Sequence, residues 1–324
     1  MQFHSNMQNI AIIFIITILS LFSCTSTQRI PTISYSKTTI STPIPFAEGI
    51  ISTKENSEFD LTFSPNGRQL YFTRRKPTEK QKIYESNFSN GQWSTPKIAA
   101  FSTDRDETPF ITPNGKYLFF GSERPIPNQP NLGNFDMNIW KMEKTNNGWS
   151  QPISLPDPIN QVQIKGEEWP SSNNNLLFSN DNQTFYFTTM QRGTKTVNLF
   201  QTTFDGKNFQ EPKPITGFFT DPKFWIYSAV ISPNGKFLVF NSYGATGGQG
   251  GEDLFVSTKT EQGWSPAKSI GNLVNTSNEE SSPRFSRDGK YFFFSRAANL
   301  GNDEYGEWDI FFVETEYLYL DKLF

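Results

Sequence analysis

The chain has 324 residues, a formal net charge of −3 and 15% aromatic residues. It contains no run of basic residues, which argues against nucleic acid as a partner. The single cysteine, Cys24, allows no internal disulfide, and the single histidine, His4, lies in an apolar leader, so catalysis and metal sites that depend on imidazole are predicted to be absent from the mature chain.

Residues 1–23 are predicted to be a lipoprotein signal peptide. The apolar run of residues 10–22 is too short to span a bilayer but fits the core of a signal peptide. Leu21 and Ser23 resemble a bacterial lipobox, which implies that Cys24 is lipid-modified and anchors the mature protein to a membrane leaflet. The alternative is an ordinary cleaved signal with an incidental cysteine.

Residues 24–42 are rich in Ser, Thr and Pro, and they are predicted to form a tether that holds the folded part away from the membrane. The folded part, residues 43–324, must be stabilised by packing alone. Its many aromatic residues provide ample apolar surface for this.

One phrase occurs five times in the folded part: a short strand, a turn of the Ser/Thr-Pro-Asn-Gly type, and a second strand of bulky apolar residues. The turns are residues 64–67, 112–115, 179–182, 232–235 and 286–289. They start about 48 to 67 residues apart, which indicates one supersecondary unit stacked many times. Asn-Gly and Asp-Gly tolerate the positive φ that tight hairpin turns require. The third turn lacks both the Pro and the Gly.

Each copy then supplies a third strand that is predicted to end in an aliphatic–aromatic pair. These pairs are Ile83-Tyr84, Ile139-Trp140, Leu199-Phe200, Leu254-Phe255 and Ile310-Phe311. Four copies add an aromatic residue shortly before a proline: Trp93, Trp149, Phe209 and Trp264. Proline suits the outermost strand, where its missing N–H needs no ladder partner. Each unit is therefore predicted to be a four-stranded antiparallel meander, with the recurring tryptophans packed between blades.

The fifth repeat stops after its third strand, and the segment around Pro45 at the other end of the chain is predicted to supply the missing strand. We therefore predict an all-β fold, a five-bladed β-propeller of four-stranded antiparallel blades whose ring is closed by the N-terminal strand. Alignment of the first and last repeats places Gly49 opposite Gly271 and Glu58 opposite Glu280.

These motifs resemble the WD40-like propeller repeat of the TolB type. The resemblance is carried by the Glu-x-x-Pro-x-Phe-Ser-x-Asp-Gly-Lys phrase of residues 280–290, by Trp-Asp-Ile-Phe at 308–311 and by the Trp-Ser-x-Pro elements, and it covers nearly all of residues 45–320. It implies protein–protein contact at a bacterial cell envelope. The fourth repeat departs from the pattern, because Ile226 stands in the position of an acidic residue.

The loops between second and third strands and the loops into the next blade emerge on one face, called here the long-loop face. Residues 121–135, 243–253 and 296–308 are the long loops between second and third strands, and binding sites are usually placed on such loops. The opposite face is predicted to carry only tight turns. The Gly-rich stretch 244–251 lacks the ending of a phosphate-binding loop and is predicted to be mobile.

Arginines begin several of these loops, and acidic residues lie shortly before the innermost strands. The arginines are Arg74, Arg75, Arg124, Arg192 and Arg296, and the acids are Glu58, Asp106, Glu107, Glu168 and Glu280. The arginines could converge on an anionic or polyhydroxy ligand. Alternatively, each pairs with an acid of the adjacent blade, since residues that recur in every repeat are more often architectural.

Trp169 and Trp225 do not share the recurring tryptophan position and could stack on a sugar or peptide, with packing as the alternative. The candidate ligand-binding residues are therefore Arg74, Arg124, Arg296, Glu58, Glu107, Glu168, Glu280, Trp169 and Trp225. No cofactor or metal is predicted, because Asp136, Asp253 and Asp309 lack the spacing of a calcium loop.

The predicted function is that of a non-enzymatic, monomeric, lipid-anchored propeller of the bacterial envelope, on the periplasmic or surface side of the outer membrane. Its long-loop face would bind a protein, peptide or glycan partner. The alternative is a carbohydrate-active enzyme, because two carboxylates about 5 to 10 Å apart can cleave a glycosidic bond. Acids that belong to a repeat phrase are poor candidates for such a singular role.

Overall fold

The computed structural model describes residues 32–127, 137–161, 173–178, 183–190, 196–219, 224–302 and 304–324, with the backbone alone for 173–178 and Met190. Five antiparallel sheets follow one another along the chain and form a five-bladed β-propeller, as the repeats predicted. In the described part of the chain, helix is limited to the 3-10 segments Thr315–Leu318 and Leu320–Leu323, and none is long and apolar enough to cross a membrane.

Each blade runs from an innermost strand at the axis to an outer strand. The first strand, β1 (Ile44–Pro45), belongs to blade 5, and blade 1 contains β2 (Ser57–Phe63), β3 (Gln69–Arg75), β4 (Lys82–Ser89), β5 (Gln92–Trp93) and β6 (Lys97–Ile98). Blade 2 contains β7 (Asp106–Ile111), β8 (Tyr117–Ser122), β9 (Asn138–Thr145), β10 (Gly148–Trp149) and β11 (Ile153–Ser154), and blade 3 contains β12 (Asn173–Phe178), β13 (Thr184–Met190), β14 (Val197–Thr203) and β15 (Lys213–Pro214). Blade 4 contains β16 (Ala229–Ile231), β17 (Phe237–Tyr243), β18 (Glu252–Thr260), β19 (Gly263–Trp264) and β20 (Lys268–Ser269), and the other strands of blade 5 are β21 (Glu279–Phe285), β22 (Tyr291–Gly301) and β23 (Glu304–Glu314).

The outer strands are short. In blades 1, 2 and 4 the fourth strand is split into two pieces of two residues, and both pieces pair with the third strand. The Ser-x-Pro or Ser-Pro element lies between the pieces, because proline cannot donate to the ladder. The prediction that the third strand ends in its aliphatic–aromatic pair was wrong: Ile83-Tyr84 lies near the start of Lys82–Ser89, and the strand continues so that it can pair with both pieces.

Bulges in the innermost strands join neighbouring blades at the axis. Asp60, Thr108 and Ser282 occupy equivalent bulge positions with φ of 50°, 53° and 53°. The Thr108 amide donates to Thr73 Oγ1 of blade 1 at 3.1 Å, and the Ser282 amide donates to Ser228 Oγ, beside blade 4, at 3.1 Å. The bulge frees amide groups from the ladder, and the preceding blade provides their acceptors.

The N-terminal strand closes the ring as predicted. Pro45 pairs with Phe311, and the Phe46 amide donates to the Ile310 carbonyl at 2.7 Å. The Phe46 ring is fully buried between blades 5 and 1, with its centroid 5.0 Å from that of Phe293. Closure satisfies the edge of blade 5 with strand from the far end of the chain.

The chain just before β1 also packs on the ring. Ile33 and Ile40 are buried, and the Tyr35 hydroxyl donates to the Gly67 carbonyl of the first turn at 2.8 Å. The Glu314 amide donates to the Ile40 carbonyl at 2.9 Å. From residue 32 onward, therefore, the segment predicted as a tether lies against the propeller.

The face opposite the long loops carries more than tight turns, contrary to the prediction. The N-terminal segment and the C-terminal 3-10 turns lie over it, and a groove of about 1090 Å³ runs between the turns of blades 4 and 5 and residues 319–322. Arg287 lines this groove and donates to the carbonyls of Phe63 and Ile111 at 2.7 and 2.6 Å. Its guanidinium thereby joins the turn ends of three innermost strands, those of blades 5, 1 and 2.

Candidate functional site

Three of the predicted arginines form buried ion pairs with predicted acids. Arg74 Nε lies 2.7 Å from Glu58 Oε1, Arg296 Nε lies 2.8 Å from Glu280 Oε1, and Arg124 Nη2 lies 2.9 Å from Asp106 Oδ1. All three carboxylates have fully buried side chains. Each pair joins two strands of one blade or its loop, so the alternative that these arginines pair with acids of the adjacent blade was wrong.

Each guanidinium also reaches the crossover that arrives from the preceding blade. Arg74 donates to the Ile50 and Ile51 carbonyls at 3.0 Å, Arg124 to the Phe101 carbonyl at 3.0 Å, and Arg296 to the Val274 carbonyl at 2.7 Å. The carboxylates hold the same crossovers, as the Thr53 amide and hydroxyl donate to Glu58 at 3.0 and 2.7 Å. The ion pair is thus a staple between a crossover and the blade that it enters.

Burial raises the pKa of Glu58 to about 7, and it raises the pKa of Glu280 as well. The threonine donors and the paired arginines act in the opposite direction, which favours the charged form. Neither carboxylate has an exposed side chain that could meet a ligand in this structure.

Blade 4 replaces the staple with apolar side chains. The positions of Glu280 and Arg296 correspond there to Ile226 and Ser242. In blade 5 the Arg296 guanidinium lies 5.1 and 4.9 Å from the Phe294 and Phe311 ring centroids. In blade 4 the equivalent rings, Phe240 and Phe255, are covered by Phe219 at 5.9 and 5.3 Å. A buried ion pair that can be replaced by apolar packing serves architecture.

The remaining predicted residues are placed as follows. Glu107 is buried, and its carboxylate accepts a hydrogen bond from Gln81 Nε2. Its Oε2 atom lies 3.7 Å from Arg105 Nη2. Trp225 is partly buried, and its ring centroid lies 5.7 Å from that of Tyr227. Cys24, Asp136, Glu168, Trp169 and Arg192 lie outside the described residues.

Two acidic residues from neighbouring blades are in contact on the long-loop face, because the Glu279 carboxylate accepts from the Glu252 backbone amide, and sequence reasoning missed both. Glu279 begins the innermost strand of blade 5 and accepts from the Gly251 amide, the Glu252 amide and the Asn299 side chain. Glu252 begins the third strand of blade 4 and accepts from Asn241 Nδ2 at 2.9 Å. Burial and the Glu279 charge raise the pKa of Glu252 to about 7. A sequence feature that could have pointed to Glu252 is the pair of glycines, Gly250 and Gly251, that directly precedes it.

The Gly-rich loop before Glu252 is tied down, whereas the sequence had predicted a mobile loop. The Gln249 and Gly250 amides donate to Asp253 Oδ2 at 2.8 and 3.0 Å. A Cβ added at Gly250 would lie 1.9 Å from the Asn278 carbonyl oxygen. Glycine is needed here because the loop passes directly against the crossover into blade 5.

The region from Arg296 to Trp308 is a β-hairpin and not the predicted loop. Strands β22 and β23 stay paired as far as Gly301 and Glu304, so both are longer than the corresponding strands of blades 1 and 4. Leu300 and Tyr305 on this hairpin are 62% and 41% exposed, and Tyr243 of blade 4 is 44% exposed.

Aromatic rings surround Glu252. Tyr243 pairs with Glu252 across the sheet, and burial and the nearby Glu252, Tyr305 and Tyr243 raise the pKa of the Tyr227 hydroxyl. The group of Trp225, Tyr227, Tyr243, Glu252 and Tyr305, which lies where blades 4 and 5 adjoin, is called here the blade 4–5 cleft. Within the described ranges, no group of three acidic, His or Cys side chains is arranged to hold a metal ion.

No protein-family model and no curated protein matches the sequence. Among solved structures, a glycoside hydrolase superposes with a TM-score of 0.54 at 9% identity, covering 85% of this chain and 92% of the other. An α-L-arabinofuranosidase from Lactobacillus brevis has a TM-score of 0.49 at 12% identity, covering 81% of this chain and 92% of its own. TolB from Acinetobacter baumannii has a TM-score of 0.48 at 15% identity over 78% of this chain. This chain spans 56% of the length of that TolB, and at these identities the similarity concerns the fold alone.

Proposed function

We propose that this chain is a non-enzymatic propeller of the bacterial cell envelope, anchored through a lipid at Cys24, whose long-loop face binds a protein, peptide or glycan partner. The observation that carries the proposal is the exposed aromatic and apolar rim of Tyr243, Leu300 and Tyr305 on that face. Long loops on a rigid scaffold, with exposed aromatic side chains among them, are typical of interaction sites.

The recurrent ion pairs support binding over catalysis. Glu58, Asp106 and Glu280 are buried and form ion pairs with arginines. The corresponding positions of blade 4 are Ile226 and Ser242, which cannot form such a pair. A catalytic carboxylate must instead reach the substrate. The ligand-binding role first assigned to Arg74, Arg124 and Arg296 therefore becomes an indirect one in this proposal: they hold the crossovers from which the long-loop face is built.

Partner capture from envelope extracts tests the face. The full chain is immobilised, and the double variant Leu300→Ala/Tyr305→Ala is compared with Ile153→Ala, an exposed apolar residue on the outer strand of blade 2. We expect the double variant to lose the captured partner and Ile153→Ala to retain it. Equal capture by all three proteins would remove the long-loop face from the proposal.

Membrane fractionation tests the anchor. In a bacterial host, the wild type should incorporate labelled fatty acid and sediment with membranes, and Cys24→Ala should do neither. Membrane association of Cys24→Ala that equals the wild type would exclude the lipid anchor and leave the binding face untouched.

The second candidate function is sugar cleavage, and Glu252 with Glu279 favours it over the acids of the repeat phrase. They come from separate blades, and Glu252, with its pKa near 7, has the character of a general acid beside a hydrogen-bonded carboxylate. Hydrolysis of a glycan panel that disappears in Glu252→Gln would make the chain an enzyme. Absence of turnover under conditions where a glycan binds would leave binding as the function.

A further inference from the structure

The blade 4–5 cleft has the composition of a site for a ring-shaped polar ligand. Trp225 and Tyr227 lie on the crossover into blade 4, with ring centroids 5.7 Å apart, and Tyr305 lies on the blade 5 hairpin, 6.4 Å from the Trp308 centroid. Tyr243 and Tyr305 each leave about two fifths of their surface exposed. Rings from two blades therefore border one patch around Glu252.

Gly251 brings the polar and aromatic parts of the cleft together. A Cβ added at Gly251 would lie 2.6 Å from Glu279 Oε2 and 2.9 Å from the Tyr243 ring. The missing side chain allows the ring edge and the carboxylate to approach the same stretch of backbone. The cleft thus offers an apolar surface and hydrogen-bonding groups within the width of a few atoms.

The two carboxyl groups beside the rings differ in exposure, since Glu279 is fully buried and Glu252 is partly exposed. Glu279 is fully buried and already accepts hydrogen bonds from Gly251, Glu252 and Asn299. Glu252 has a pKa near 7, raised by burial and by Glu279, so its carboxyl is partly protonated at neutral pH and can donate as well as accept. Two carboxyl groups beside the rings disfavour an anionic sugar, whereas the hydroxyl groups of a neutral sugar find both a donor and an acceptor at Glu252.

We infer that the blade 4–5 cleft binds a neutral sugar ring of a glycan, stacked on Tyr243 or Tyr305 and hydrogen-bonded through its hydroxyl groups to Glu252, which buried Asn241 holds in place. The inference rests on the proposed function, since it names the partner class of the same long-loop face. Aromatic faces pack on the apolar faces of sugar rings, and orienting polar groups provide specificity.

Calorimetry on the full chain tests the inference with neutral hexasaccharides of glucose, mannose, galactose and xylose. A galacturonate hexamer and a Lys/Arg-rich peptide serve as charged probes. We expect at least one neutral hexasaccharide to bind, and Tyr243→Ala and Tyr305→Ala each to weaken it by about tenfold, which corresponds to a lost ring contact. Tyr305→Phe should keep most of the affinity, and Ile153→Ala should keep all of it.

Three outcomes would overturn the inference: no binding of any neutral hexasaccharide up to about 10 mM, binding that the two tyrosine variants leave unchanged, or binding of the cationic peptide alone at the cleft. Thermal unfolding of each variant shows that it is folded. The capture experiment tests the proposed function separately. If Leu300→Ala/Tyr305→Ala still captures envelope partners, the long-loop face is not their binding site, whatever the calorimetry with sugars shows. If capture is lost and no sugar binds, the face stands and only the glycan is wrong.

Discussion

At the scale of single residues, buried charges divide into those that are fully paired and those that are not. The staples of blades 1, 2 and 5 satisfy each carboxylate with a guanidinium and backbone or hydroxyl donors. Surface pairs such as Arg75 with Glu307 at 3.9 Å leave both side chains nearly half exposed. Solvent screens the exposed pairs but not the buried staples. Loss of a staple should therefore lower the free energy of unfolding more than loss of an exposed pair does.

Substitution of one staple arginine should therefore destabilise the fold. Arg296→Met leaves Glu280 buried without its cation, and we expect a loss of about 3 kcal/mol in the free energy of unfolding. Arg75→Met, the matched surface control, should change it by less than about 0.5 kcal/mol. Chemical denaturation measures both, and equal losses would contradict the staple. The double variant Arg296→Met/Glu280→Gln should recover part of the loss, because it removes the unpaired charge.

At the scale of elements, the Gly-rich loop and the blade 5 hairpin shape the long-loop face. The sequence patterns predicted two flexible loops, yet one is pinned against a crossover and the other is a continuous hairpin. Glycine is compatible with both a mobile loop and a closely packed one, and only the neighbouring backbone distinguishes them. For Gly250, that neighbour is the Asn278 carbonyl of the next blade's crossover.

Gly250→Ala should strain this loop. The added Cβ would overlap the Asn278 carbonyl, and overpacking of this kind costs about 1 to 3 kcal/mol. At Gly306, the nearest atom to an added Cβ is the Ala298 Cβ at 3.3 Å, so Gly306→Ala should cost less. Thermal unfolding of the two variants compares them. A Gly250→Ala protein as stable as the wild type would mean that the loop can move away, as the original prediction of mobility requires.

The proton on Glu252 should make stability depend on pH. Burial and Glu279 raise the pKa from the ordinary 4.5 to about 7, so the folded state holds the proton more strongly than the unfolded chain does. This stabilisation is complete below about pH 4.5 and is lost as the pH rises through 7. Between those values, the unfolding free energy of the wild type should fall on the order of 2 kcal/mol more than that of Glu252→Gln.

Denaturation at pH 5 and at pH 8 measures this difference. Glu58 titrates in the same direction, but it is present in both proteins and cancels in the comparison. Glu55→Gln, at an exposed position of the same face, should follow the wild type at both pH values. Parallel pH profiles for the wild type and Glu252→Gln would show that the carboxyl is solvated.

At the scale of the whole molecule, the ring depends on a strand of two residues. Ile44–Pro45 is short, and the stability of the closure comes mainly from Phe46, which lies between Phe293 and Phe312 on one side and Trp93 on the other. Tyr35 adds a further ring to this seam, with centroids 5.9 Å from Phe46 and 5.3 Å from Phe63. The seam between the first and last blades is thus packed like the other blade interfaces.

Phe46→Ala should open this seam. Removal of a fully buried phenylalanine costs about 3 to 5 kcal/mol, and here it also weakens the contact between the two ends of the chain. Phe324→Ala, at a ring that is 44% exposed, should cost less than about 1 kcal/mol. Urea denaturation compares the two. A small loss for Phe46→Ala would mean that the ring is held together without its closing strand.

The sequence by itself determined the number of blades, the strand order within each blade and the closure by the segment around Pro45, because turn chemistry and alternating apolar residues are local and recur in every repeat. It also identified the arginines and acids of the staples, though it assigned them to the wrong partners. Only the tertiary structure decided that Arg296 joins Glu280 of its own blade, that Phe219 takes the place of a guanidinium in blade 4, and that the Glu279 carboxylate of blade 5 accepts from the Glu252 backbone amide of blade 4. These contacts depend on how crossovers and blades pack in three dimensions, and residues far apart in sequence carry no local signal of such distances.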